Sequence, residues 1–349
     1  YRPGQLLLFG EHAAVYGYPA LGMALQSGIT VTIERPDGAR PGVWNPPEVS
    51  GVTVSEWREF FAHLRVTAET AGLGEREAEL RGTVTIAGDL PISGGFGSSA
   101  ALCAALAGAL LGEPAGVDKP ATADAPPGSA SPIAGDTAAP EPEPERKQPQ
   151  WAIANDLERY FHGTPSGIDT GLSVLGGVQL FQFERAGVLP TAMQISRPTV
   201  PFLVGSVPRT GNTRELVGRI RTAMEAGDRD TAADMQELGE ITREAAAVLG
   251  VEREPAGQAG HLGRLADRAQ RILRRLSLSS ELLETVLEAG RKAGATGGKL
   301  SGAGGGGAFY LVFENRDQAS AATQAVAAGL KDTGTPGADA AAESLFVMY

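Results

Sequence analysis

Three glycine-rich segments and one aspartate carry most of the chemistry that can be read from this chain. In Pro91-Ile92-Ser93-Gly94-Gly95-Phe96-Gly97-Ser98-Ser99-Ala100, glycines and two serines stand directly before a run of small apolar residues with helical character. A helix starting there aims unpaired N–H groups and the positive end of its dipole at whatever lies ahead of it, and glycines let the backbone approach a phosphate closely. Read alone, the same residues are equally a glycine loop with Ser98 or Ser99 as an N-cap. They are not a Walker A loop, because no Gly-Lys-Ser/Thr follows at the required spacing, and Gly298-Lys299 is followed by Leu300.

The second segment, Gly297-Gly298-Lys299-Leu300-Ser301-Gly302-Ala303-Gly304-Gly305-Gly306-Gly307, leads into an apolar strand. Linkers of this glycine density join domains rather than open a buried strand, so a tight loop packed beside a ligand is the better inference. The third, Pro3-Gly4-Gln5-Leu6-Leu7-Leu8-Phe9-Gly10-Glu11-His12, ends an apolar strand on a carboxylate and an imidazole. Such groups are expected to face a cleft, or a surface turn, rather than the core. Asp169 closes His162-Gly163-Thr164-Pro165-Ser166-Gly167-Ile168-Asp169, a turn in which a carboxylate is either a cap or a proton acceptor.

The elements that must position these groups are legible as periods. Strands are expected at Leu6-Leu7-Leu8-Phe9, over the alternating stretches 29–33 and 83–86, and over 178–183, 201–207 and 308–313. Helices are expected over 98–111, over 151–161, and through most of 212–293, with breaks at Gly227, 250–260 and Ser277. Strands and helices mix without strict alternation, which favours α+β over a doubly wound sheet. Between about 113 and 150 the chain turns to Ala, Pro, Asp and Glu, and such a composition reads as a loosely ordered insertion that buries no core.

At 349 residues and 42% apolar side chains, two domains with a sizeable core are expected. A formal charge of -11 argues against nucleic acid or an anionic membrane as partner, so an anionic ligand would need a local cation or backbone donors. One cysteine, Cys103, allows no internal disulfide, and the usual zinc-ligand spacings are missing, which fits a cytoplasmic setting. With no apolar run of about 18 residues, no membrane span is expected.

In their order, the three glycine segments resemble the signature motifs of the GHMP kinases, over essentially the whole chain apart from the insertion. Phe9-Gly10-Glu11-His12-Ala13-Ala14-Val15-Tyr16-Gly17 and the 162–169 turn are most similar to the mevalonate kinase branch. A galactokinase would show Asp-Tyr after Glu-His, where this chain has Ala13-Ala14. The resemblance implies a two-domain α+β fold. Residues 1–190 would form a ribosomal-protein-S5-like nucleotide-binding domain carrying the insertion, and 191–349 a C-terminal α/β-sandwich domain, with the active site in the cleft between them.

The resemblance also implies ATP and Mg²⁺ as cofactors and mevalonate as the small-molecule substrate, phosphorylated on its 5-hydroxyl; members of the family often form homodimers. Gly94, Gly95, Phe96, Gly97, Ser98 and Ser99 would cradle the ATP phosphates, Ser99 and Glu158 match the metal ligands, and Asp169 matches the catalytic carboxylate. Glu11, His12, Ser166, Asp169 and Thr213 would line the substrate pocket, with Gly302 and Ala303 in the loop that closes on it. Gln5 occupies the catalytic position where family members carry Lys, and offers a hydrogen bond without a charge. Arg209, Arg214 or Lys299 could supply that charge instead. A phosphomevalonate or sugar kinase, and a metabolite sensor without turnover, are the alternative readings.

Overall fold

The computed structural model describes residues 1–34, 42–90, 94–113, 144–185, 187–209, 213–251, 254–332 and 334–348. In chain order the elements begin with β1 (Arg2–Phe9), β2 (Ala20–Glu34), α1 (Val54–Thr70), α2 (Gly74–Leu80), β3 (Thr83–Gly88), α3 (Ser98–Leu110) and α4 (Pro144–His162). They continue with α5 (Ile168–Leu175), β4 (Val178–Gln182), β5 (Thr191–Ile195), β6 (Phe202–Val207), α6 (Thr213–Glu225), α7 (Arg229–Leu249) and α8 (Pro255–Arg275). The chain closes with α9 (Glu281–Lys292), β7 (Gly297–Leu300), β8 (Gly307–Val312), α10 (Arg316–Asp332), α11 (Ala338–Glu343) and β9 (Phe346–Met348). The mixture of helix and sheet is the α+β class that the periods imply.

Two compact units divide these elements. One comprises Tyr1–Gly4, Gln26–Leu90 and Gly97–Leu175. In it the second half of β2 pairs antiparallel with β3, from Ile29 opposite Gly88 to Glu34 opposite Thr83. After Ser98 and Ser99, helix α3 is built from Ala, Leu, Gly and Cys103 and is buried on nearly every side. Helix α1 buries Trp57, Phe60, Phe61 and Leu64, and Phe60 meets Tyr160 and Phe161 of α4 at ring-centroid distances of 5.4 and 5.2 Å. Helix α1 is not among the elements the periods imply. Its signal is present nonetheless: Thr53 and Glu56 form a reciprocal capping box, and the buried positions recur at helical spacing.

Helix α4 also corrects the insertion boundary. Residues 114–143 lie outside the described residues, but α4 starts at Pro144, so 144–150 form its opening turns rather than the tail of a loose segment. Gln150 is buried, and its Nε2 donates to the Ala104 carbonyl at 3.0 Å. The polar side chains there are paired with backbone: Gln150 with α3, and Lys147 Nζ with the Leu175 carbonyl at 3.2 Å.

The other unit comprises Gln5–Leu25, Pro91–Phe96 and Gly176–Tyr349. The first half of β2 pairs with β4, which pairs with β5. Among the described residues a four-stranded antiparallel sheet runs β7-β8-β6-β9. Helix α8 packs directly on β7, and a methyl at Gly297 would lie 2.0 Å from the Gly263 carbonyl oxygen, so this close crossing requires glycine. Pro255 opens α8 at its first position, which narrows the expected break at 250–260 to the residues before it.

Candidate active site

In the unit that holds β7 and β8, the turn after β1 and the glycine loop 301–307 face each other. Leu7 N donates to Ser301 Oγ at 3.0 Å, and the Tyr310 hydroxyl donates to the Leu8 carbonyl at 2.7 Å. Glu11 is 2% exposed and Lys299 is fully buried, and Lys299 Nζ donates to Glu11 Oε1 and to the Leu300 carbonyl. This corrects the expectation that Glu11 faces a cleft. A carboxylate enters the core here because a cation 288 residues away is buried with it, with the Phe9 and Tyr310 rings 5.8 and 5.4 Å from the ammonium. Burial pushes the Glu11 carboxyl up and the Lys299 ammonium down, and each charge opposes the shift of the other.

His12 adopts a left-handed backbone (φ 58°), and its Nε2 meets the Ala303 carbonyl at 3.1 Å. Burial, the largest cause, pushes its pKa down to about 4; the Lys299 charge acts in the same direction and the Ala303 carbonyl against it. The imidazole is therefore neutral near pH 7. Because the folded pKa lies below the unfolded value of 6.5, the unfolded chain takes up a proton between pH 6.5 and 4 that the folded chain does not. Stability should fall over that window by on the order of 3 kcal/mol from this residue. Urea midpoints measured from pH 7 to 4.5 should drop less in His12→Asn, which tolerates the left-handed backbone, than in the parent; parallel curves would refute the assignment.

Gly94, Gly95 and Phe96 belong to the same unit. Gln5 N donates to the Phe96 carbonyl at 2.9 Å, and Gln5 is 5% exposed with no partner for its Oε1 among the described residues. Gly95 has a φ of +87°, and a methyl there would lie 2.9 Å from Ala308 N and 3.4 Å from Arg209 Nη2. Arg209 also borders the other glycine segment, since a methyl at Gly307 would lie 3.1 Å from its Nε. Gly302 has a positive φ of 88° and Ala303 follows it. Thr213 begins α6; its side chain lies outside the described residues.

In the unit that holds α3 and α4, Gly97 is the N-cap of α3 with a φ of 71°, and no side chain caps the helix. Ser98 and Ser99 are therefore its first two residues rather than its N-cap, and the leading N–H groups are left to a ligand or solvent. Ser99 Oγ donates to Glu158 Oε1 at 2.7 Å, and His162 Nδ1 meets the same oxygen at 2.6 Å. Cys103 lies one turn beyond Ser99 on α3; burial, and then the nearby Glu158 carboxylate, push its thiol well up, so it stays protonated. Nothing in the spacing of Cys103 announces this neighbour. Glu158 is 2% exposed, and its Oε2 has no partner among the described residues.

Ser166, Gly167 and Asp169 sit at the start of α5, held against α4. Trp151 Nε1 donates to the Gly167 carbonyl at 2.8 Å, Thr170 Oγ1 to Asn155 Oδ1 at 3.4 Å, and Ile168 N to Ser166 Oγ at 3.4 Å. Asp169 is half-buried in the first turn of α5, where the helix dipole favours a carboxylate. Ser99, Glu158, Ser166 and Asp169 thus share one unit, and Gln5, Glu11, His12, Gly302 and Ala303 share the other.

The residues fit a nucleotide phosphate and Mg²⁺. Uncapped N–H groups behind glycines suit the phosphate, while a serine hydroxyl beside an unpartnered buried carboxylate oxygen supplies two hard oxygens. Among the described residues no group of three or more His, Cys, Asp or Glu could hold a metal, and so few protein ligands suit Mg²⁺, which keeps waters and phosphate oxygens.

Residues 62–118 match the GHMP kinases N terminal domain, and 231–332 match GHMP kinases C terminal. The mevalonate kinase of Thermococcus onnurineus is 29% identical over 354 residues, covering 96% of this chain and 93% of that protein. That of Thermococcus sibiricus is 27% identical over 341 residues, covering 94% and 92%. In fold, the chain is similar to L. major mevalonate kinase solved with R-mevalonate, at a TM-score of 0.68 and 21% identity over 99% of this chain and 93% of that one. The galactokinase of Lactococcus lactis solved with galactose gives 0.66 and 17%, over 99% and 91%, so backbone likeness does not separate acceptors. With the two GHMP kinase domain models matched in order and relatives aligned over nearly the full length, the chain is similar to the GHMP kinases and, within them, is most like the mevalonate kinases.

Proposed function

We propose that this chain transfers the γ-phosphoryl group of ATP to the 5-hydroxyl of (R)-mevalonate, giving 5-phosphomevalonate and ADP. The observation that supports this most directly is the alignment with mevalonate kinases over more than nine-tenths of both chains. Residues 94–99 receive the nucleotide phosphates through backbone N–H groups and the Ser98 and Ser99 hydroxyls. Ser99 Oγ and Glu158 Oε2 would hold Mg²⁺, which when bound offsets negative charge on the phosphoryl oxygens. Asp169 accepts the hydroxyl proton as the new O–P bond forms and the bond to ADP breaks. His12, Ser166, Thr213, Gly302 and Ala303 contact the acceptor.

A coupled ADP-release assay with mevalonate, phosphomevalonate, homoserine and galactose tests the acceptor, with nucleotide binding followed by calorimetry. Mevalonate should give the highest kcat/KM; a far higher value for another acceptor would overturn the substrate. The second reading, a sensor without turnover, is favoured by Gln5 and would show as nucleotide binding with no ADP release on any acceptor. Ser99→Ala should raise several-fold the Mg²⁺ concentration that gives half-maximal rate. An unchanged Mg²⁺ dependence would remove Ser99 from the metal site. No helix among the described residues is long and apolar enough to cross a membrane, and we place the reaction in the cytoplasm.

A further inference from the structure

We infer that the buried Lys299–Glu11 pair is a positioning element that fixes the register of the 302–307 glycine loop against the His12 turn. The inference rests on reading those two segments as parts of the phosphoryl-transfer site. A fully desolvated ion pair is a weak source of stability, because apolar side chains of similar volume usually serve a core as well or better. The surroundings here would accept them: Nζ lies among Phe9, Tyr310 and Leu300, all buried. What an apolar pair could not supply is direction. Lys299 Nζ donates both to Glu11 Oε1 and to the Leu300 carbonyl, which ties the turn after β1 to the strand end just ahead of the loop.

The loop needs such an anchor. Gly302 and Gly304 to Gly307 all have positive φ, and without Cβ atoms they present no side-chain surface that could hold one conformation among several. Register is instead set from outside, at Leu7 to Ser301, Leu8 to Tyr310, Glu11 to Lys299, His12 to Ala303, and Gly305 N to the Leu278 carbonyl. In this ladder the ion pair is the central, directional rung. Lys299 and Glu11 act through the loop, and the groups that meet nucleotide and acceptor are the backbone and His12.

The test compares Lys299→Met, Glu11→Gln and the double variant Glu11→Leu/Lys299→Met. Lys299→Met alone should be strongly destabilised, while the double should recover a urea midpoint close to the parent. Despite that recovery, amide hydrogen exchange over residues 302–307 should accelerate at least tenfold in the double, and acceptor kcat/KM should fall at least tenfold. A double variant with parental exchange and parental kcat/KM would show that the pair is only a core contact. If the double fails to fold, Glu11→Gln, which keeps the shape and one hydrogen bond, is measured in its place. Faster loop exchange in it supports the inference, and parental exchange overturns it. Exchange is independent of turnover, so a parent that phosphorylates no tested acceptor refutes the functional reading without deciding the positioning role.

Discussion

Asp169→Asn is expected to lower kcat by about 10² or more while leaving nucleotide affinity nearly unchanged. The substitution keeps the volume and the hydrogen-bonding span of the side chain, so α5 should remain docked on α4 through Trp151 and Thr170. What it removes is a group able to accept the acceptor's proton as the O–P bond forms. That loss is felt in the transition state and hardly in the ground state, which places it in kcat. Calorimetry with a nonhydrolysable ATP analogue and Mg²⁺ should give a Kd within about twofold of the parent, and the thermal midpoint should be preserved. Near-normal turnover would dismiss Asp169 as base and leave it a helix-start carboxylate, the role its place in the first turn of α5 would also suit.

The glycine segments were legible because they depart from ordinary composition for a physical reason. Gly95 and Gly97 have positive φ, and so do Gly302 and Gly304 to Gly307, and few other residues tolerate that backbone, so conformation writes itself into residue type. The start of α3 could be placed for the same reason, although the cap proved to be Gly97 and not a serine. The partner of Glu11 could not be read. The rule that carboxylates avoid the core is statistical and fails when a cation is buried alongside, and nothing local announces a partner 288 residues on. The first turns of α4 were misread for a related reason, since Gln150 looks like loop material until α3 offers it the Ala104 carbonyl. Helix α1 is a different case, because the Thr53 and Glu56 capping box and the helical spacing of Trp57, Phe60, Phe61 and Leu64 were present in the sequence.

Arg209→Ala is expected to lower kcat by about 10² to 10³, whereas Gln5→Lys should change it by less than about threefold. The family Lys that Gln5 replaces would bring positive charge to the transferring phosphate, and a neutral carboxamide cannot. Of the three cations that could substitute, Lys299 is fully buried and engaged with Glu11, and the side chain of Arg214 lies outside the described residues. The Arg209 guanidinium instead lies against the backbone of both glycine loops, close enough that a methyl at Gly307 would sit 3.1 Å from Nε and one at Gly95 3.4 Å from Nη2. Since residues 94–99 are where the phosphates are expected, Arg209 is the cation best placed to offset their charge, and its planar fork suits a phosphate oxygen pair. Arg209→Lys should recover part of the loss, because it keeps the charge but not the fork. A Lys at position 5 would add a second cation beside a phosphate already served, with repulsion from Arg209 cancelling most of the gain. The opposite pattern, a tenfold or greater rise in kcat for Gln5→Lys together with near-parental turnover for Arg209→Ala, would mean that the missing charge is uncompensated and that Arg209 is not its substitute.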